Sequence, residues 1–116
     1  MGFKKVDVKT LDMKPFEKIG SEWMLISAEK DGKANTMTAS WGGIGVLWGK
    51  NVATVYIRPQ RHTKEFVDAG DTFTISFFGG EHMKELGYLG KVSGKDVPDK
   101  IEQSGLHLTE VDGQPG

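Results

Sequence analysis

Two short stretches of this chain carry residue types suited to a charged, flat ligand. In Arg58-Pro59-Gln60-Arg61-His62-Thr63, a β-branched run ends, a proline stiffens the exit, and two arginines and a hydroxyl arrive just before a helix start. Free N–H groups at a helix N-terminus, the positive end of its dipole and forked guanidinium groups together suit an anion such as phosphate. A solvated basic turn is the plainer reading of the same residues, and on these residues alone it takes precedence. In Met37-Thr38-Ala39-Ser40-Trp41-Gly42-Gly43, small and hydroxyl residues run straight into paired glycines. Backbone of that kind lets a planar ligand approach closely, and it also suits a glycine bend at a barrel corner.

Other chemistries find no support. The chain has no cysteine, which removes disulfides, iron–sulfur ligation and thiol catalysis. Its histidines stand at positions 62, 82 and 107, too far apart for a His-x-x-x-His pair, so no metal site is expected. Gly42-Gly43-Ile44-Gly45 resembles a phosphate loop, but the third glycine of a dinucleotide fingerprint falls at Trp48, and there is no Gly-x-x-x-x-Gly-Lys string. No Gly-x-Ser-x-Gly elbow occurs, and no serine sits in a nucleophile setting. No catalytic acid, base or nucleophile is therefore assigned.

Charge and length set the frame for these stretches. Fifteen basic and sixteen acidic residues leave a net charge of −1, so there is no chain-wide field to gather nucleic acid or an anionic membrane. Any anion must be held locally. With 116 residues, 37% of them apolar, the expectation is one domain over 1–116. Neither an apolar run of about 18 residues nor a signal-peptide pattern is present, and the expected compartment is the cytoplasm.

The elements that must position the two stretches read mainly as strands. Residues 22–29 are rich in large apolar side chains and lead into Asp31-Gly32, which suits a tight hairpin with a partner strand at 34–40. Residues 51–57 are β-branched and almost continuously apolar, the pattern of a strand covered on both faces. In 72–78, Phe73, Ile75 and Phe77 alternate with Thr72, Thr74 and Ser76, which gives a core face and a hydroxyl face. A short helix is expected over 63–69, with Thr63 as its cap, Glu65 in its first turn and Gly70 in a left-handed terminating conformation. Further helices are expected over 81–86 and 98–105, with Pro98 at the first helical position, and a last strand over 106–111.

In this order, the segments resemble the flavin-reductase-like family of FMN-binding split β-barrels. The resemblance rests on Glu22-Trp23-Met24-Leu25-Ile26, on 35–43 and Gly45-Val46-Leu47-Trp48, and on Ile57-Arg58-Pro59-Gln60-Arg61-His62-Thr63 with Phe73-Thr74-Ile75-Ser76-Phe77-Phe78. It continues through Leu86-Gly87-Tyr88-Leu89-Gly90 and Ser93-Gly94-Lys95-Asp96. It implies a mainly β, Greek-key split barrel with short helices that binds FMN, as a homodimer with the flavin near the subunit interface. On the matching positions, Thr38, Ala39, Ser40 and Trp41 are expected to edge the isoalloxazine. Arg58, Arg61 and Thr63 are expected to hold the phosphate, with Ser76, Ser93 and Lys95 completing the site. Family members continue with further strands, whereas this sequence stops at Gly113-Gln114-Pro115-Gly116, so a C-terminally short barrel is expected.

The function implied is that of an oxidoreductase of the flavin reductase type, passing hydride or electrons between a nicotinamide donor, NAD(P)H, or a protein partner and FMN. Flavin carries its own redox chemistry, which accounts for the missing acid, base and metal. A non-catalytic flavin-binding or remnant module fits the same residues. A barrel that stacks single-stranded nucleic acid on Trp23, Trp41 and Trp48 is a third reading, but it calls for a basic groove that the balanced charge does not supply.

Overall fold

In the computed structural model, which describes residues 5–78, 80–97, 99–106, 110–111 and 114–115, two tight turns organise the strands. Asp31 and Gly32 take φ of 53° and 76°, the positive pair that a two-residue hairpin turn requires. They join β1 (Met24–Lys30) to β2 (Lys33–Ala39) in a register running from Met24 opposite Ala39 to Lys30 opposite Lys33. Trp48 and Gly49, at 53° and 72°, repeat the device between β3 (Gly42–Leu47) and β4 (Lys50–Val55). A bulky residue at positive φ is uncommon. Together with three glycines in six residues, it hides β3 from a propensity reading.

The alternation at 72–78 forms β5 (Thr74–Phe77), which pairs with β1 so that Ile75 lies opposite Ile26 and Phe77 opposite Met24. The three-stranded sheet has the order β2-β1-β5, which leaves β2 at an edge. One face carries Met24, Ile26, Met37 and Ala39, which form a buried cluster with Ile19 against which Phe73, Ile75, Phe77, Val55 and Ile57 pack. On the other, Leu25 joins Leu86 and Leu89. A further pair joins β6 (Glu110–Val111) to β7 (Gln114–Pro115); β6 falls in the expected strand 106–111, of which Leu106 is not in a strand and residues 107–109 lie outside the described residues.

Residues 51–57 are not covered on both faces. Val55 and Ile57 pack on the core, whereas Asn51, Ala53, Thr54 and Tyr56 are exposed, so the β-branched run marks strand propensity rather than two-sided burial.

Helix α1 (Pro15–Gly20), which the sequence reading did not assign, starts on a proline, buries Ile19 and ties itself to the end of β5 by a Lys18 Nζ donation to the Phe78 carbonyl at 3.1 Å. Helix α2 (His62–Ala69) has Arg61 at its N-cap, so Thr63 does not cap it. The Thr63 side chain is instead buried and takes a hydrogen bond from Asn35. Gly70 stands at φ −116°, an ordinary extended value, so the expected left-handed stop is absent. Helix α3 (Met83–Lys91), preceded by a 3-10 turn at Gly80–His82, runs five residues past the expected end at 86. Gly90 lets it settle on β2, since a Cβ there would stand 3.2 Å from Thr38 Cβ. Helix α4 (Lys100–Ser104) ends at Gly105 with φ 90°, as expected, while Pro98 lies outside the described residues.

The turn after α3 meets β2 and α2 at one point. Asn35 is 3% exposed and donates through Nδ2 to Thr63 Oγ1 at 2.8 Å, and buried Gly94 presses on the same amide. A Cβ at Gly94 would stand 2.4 Å from Asn35 Oδ1 and 3.1 Å from Nδ2. Gly94→Ala is therefore expected to push Asn35 off Thr63 and cost roughly 1–3 kcal/mol. Urea denaturation checks this, and a variant as stable as the parent would show that the amide has room to move.

Candidate functional site

Among the described residues β2 is an edge strand, and it borders a cavity of about 220 Å³ lined by residues 37–41 together with Tyr56, Arg58 and Arg61. A strand edge offers unpaired backbone donors and acceptors, which a flat heterocycle with ring N–H and C=O groups can match. Ala39 is buried on the core side, whereas Ser40 and Trp41 are exposed. Thr38 lines the cavity, but its hydroxyl already donates to the Leu86 carbonyl, so its tie to α3 limits what it offers a ligand.

Arg58 and Arg61 also line a second cavity, of about 210 Å³, together with Gln60, His62, Gly90, Lys91, Val92 and Ser93. The two cavities therefore share their arginines. No carboxylate lines either one, and neither arginine has an ion-pair partner among the described residues. Burial, followed by the charge of Arg58, holds the Arg61 guanidinium below its ordinary value. A half-buried Arg61 beside an exposed Arg58, with no counterion among the described residues, forms a site complementary to an anion. The start of α2 adds to it, because Arg61 provides no side-chain cap for the helix.

The structure thus gathers Thr38, Ala39, Ser40, Trp41, Arg58, Arg61 and Ser93 around two adjoining cavities and leaves three predicted residues outside both. The buried Thr63 hydroxyl faces Asn35, not a cavity. Ser76 lies on β5 opposite Leu25, with β1 between it and β2. Lys95 is exposed on the turn after α3, where its backbone N–H donates to Ser93 Oγ at 3.2 Å. Each has a residue type suited to phosphate, but burial or strand position directs its side chain elsewhere.

Sequence reasoning missed Tyr56. Alternation held its signal, since Val55 and Ile57 face the core and place Tyr56 and Arg58 together on the opposite side. The three tryptophans do not make a stacking platform. Trp41 and Trp48 are exposed, but Trp23 packs against the Leu25, Leu86 and Leu89 cluster.

The sequence matches no family model. Over 94 residues it is 28% identical to an uncharacterized protein of Aeropyrum pernix, a match that covers 79% of this chain and 35% of that protein. An FMN-binding domain of a flavin reductases-like enzyme from Shewanella baltica OS155 superimposes with a TM-score of 0.76 at 24% identity, over 87% of this chain and 53% of that one. Flavoredoxin from Methanosarcina acetivorans gives 0.67 at 21% identity, over 100% and 58%. The chain spans little more than half the length of these two structures and about a third of the curated relative. Antiparallel sheets with short helices in this arrangement give the chain the split β-barrel fold of flavin-reductase-like FMN-binding proteins, the fold that the sequence resemblance implied.

Proposed function

We propose that the chain binds FMN across the two adjoining cavities and acts as a flavoprotein oxidoreductase of the flavin reductase type. The observation that carries this reading is the shared pair Arg58 and Arg61, without carboxylate partners or a strand paired to the β2 edge among the described residues, standing where that edge meets a turn lined by Ser93. The phosphate belongs at the arginines and Ser93, and the isoalloxazine along residues 38–41, with Trp41 and Tyr56 at its border. Bound FMN supplies the hydride and electron chemistry, with a nicotinamide or a protein partner as donor. The chain's own residues bind and orient it. Thr63 acts at one remove, through Asn35 and the start of α2.

Arg61→Ala is expected to weaken FMN by roughly 1.5–3 kcal/mol through loss of a charge-assisted contact, while riboflavin, which lacks the phosphate, changes little. Fluorescence titration of both flavins measures the split, and equal losses would move the phosphate elsewhere. Oxidation of NAD(P)H in the presence of FMN then separates turnover from mere binding.

The same reading includes a homodimer. The β3–β4 hairpin exposes Val46 at 70% and Trp48 at 90%, and with the segment before α1 and β5 it forms an apolar groove of about 590 Å³. Patches of this kind mark interaction surfaces, and a two-fold contact closes without growing into a filament. Sedimentation is expected to show a dimer at micromolar concentration, and Val46→Lys to shift it towards monomer. A monodisperse, folded parent monomer would contradict this.

A further inference from the structure

A lysine that lines neither cavity is buried behind the anion-holding one. Lys100, the first residue of α4, is 2% exposed, among the most deeply buried side chains of the described residues. Its ammonium donates to the Val92 carbonyl at 2.8 Å and the Leu89 carbonyl at 3.2 Å, so it closes the C-terminal end of α3, where the helix dipole favours a cation. It has no carboxylate in ion-pair range among the described residues. A buried ammonium with only carbonyl partners is costly and calls for a role.

Its place supplies one. Val92 and Ser93, from the end of α3, form one wall of the second cavity, which Arg58 and Arg61 also line. Beyond them the chain folds back, with the Asp96 and Val97 N–H groups donating to the Ser93 carbonyl, and α4 carries Lys100 in beneath that wall. We propose that Lys100 is a positioning residue of the anion subsite, fixing the 89–93 wall against the two arginines and adding a third positive charge behind it. This rests on the FMN reading and adds a residue that does not touch the ligand.

The charge has a testable consequence. Burial, and then the field of Arg61, pull Lys100 from 10.5 down to about 8. The lowered value means that its proton costs the fold stability below about pH 8, a cost relieved as pH rises towards 10.5. An anion at the arginines offsets that field and favours the protonated lysine. Dianion affinity must then fall as pH rises through about 8. Arg61 is the charge that acts on it from beyond the wall, Lys91 stands in the wall itself, and Lys95, Asp96, Asp99 and Glu102 are the charged residues of its own segment. The FMN phosphate has already lost its second proton by then, with a pKa of about 6. Riboflavin shares the ring but not the phosphate and serves as the control.

The experiment titrates FMN and riboflavin into the parent, Lys100→Met and Lys100→Arg at about pH 7 and about pH 9.5, on either side of the Lys100 value. Lys100→Met is expected to lose about tenfold in FMN affinity and less than about twofold for riboflavin, with Lys100→Arg recovering most of it. Parent FMN affinity should fall several-fold between the two pH values, and that fall should vanish in Lys100→Met. Equal FMN affinity in parent and Lys100→Met, or a pH dependence shared with riboflavin, overturns the proposal. If Lys100→Met does not fold, the parent's pH profile against riboflavin decides alone. If the parent binds neither flavin, the FMN reading fails. Lys100 is then judged by inorganic phosphate: a rise in melting temperature that fades above about pH 8 supports its role, and no such rise overturns it.

Discussion

The buried amide of Asn35 is the point at which the elements framing the site come together. It stands on β2, donates to Thr63 in α2 and is packed by Gly94 from the turn after α3. The free edge of β2, the arginines ahead of α2 and the Ser93 wall therefore hold fixed positions relative to one another. A buried polar group is tolerated when it is hydrogen-bonded and strongly destabilising when it is not, so this junction resists drift. The Thr38 hydroxyl, donating to the Leu86 carbonyl, anchors α3 farther along the same strand.

Against that frame, the site keeps cations together without counterions among the described residues. Arg58 and Arg61 share two cavities, and Lys100 is buried behind one wall, where its partners among the described residues are two backbone carbonyls. Lost hydration lowers both the Arg61 and Lys100 values, with the charge of Arg58 adding to it for Arg61 and that of Arg61 for Lys100. Functional sites often hold such stored electrostatic cost, which a ligand of opposite charge relieves on binding. A phosphate supplies that charge. The adjoining strand edge supplies the directional groups that a flat ring recognises.

What could be read from sequence was whatever depends on neighbours in the chain. Asp31-Gly32 announced the first hairpin because positive φ is a local demand, and Phe73, Ile75 and Phe77 announced a core face by period alone. The two arginines stood out because a strand exit and a helix start flank them. Strand β3 stayed hidden, since its glycines carry no β signal and its turn uses a tryptophan where asparagine or aspartate is usual. The bond from Asn35 spans 28 residues and that from Lys100 to Leu89 spans 11, so no local pattern reports either. Thr63 and Ser76 show the converse limit of local reading. Their hydroxyls suit phosphate, but burial and strand order decide what they meet.

Retention of FMN by the folded chain is the property on which everything at this site depends. The protein is mixed with excess FMN, freed of unbound flavin by gel filtration, and examined by visible absorption and native mass spectrometry. The account predicts one FMN per chain, with an absorption band altered from that of free flavin. A chain that is folded by circular dichroism yet emerges colourless and at its own mass would contradict it.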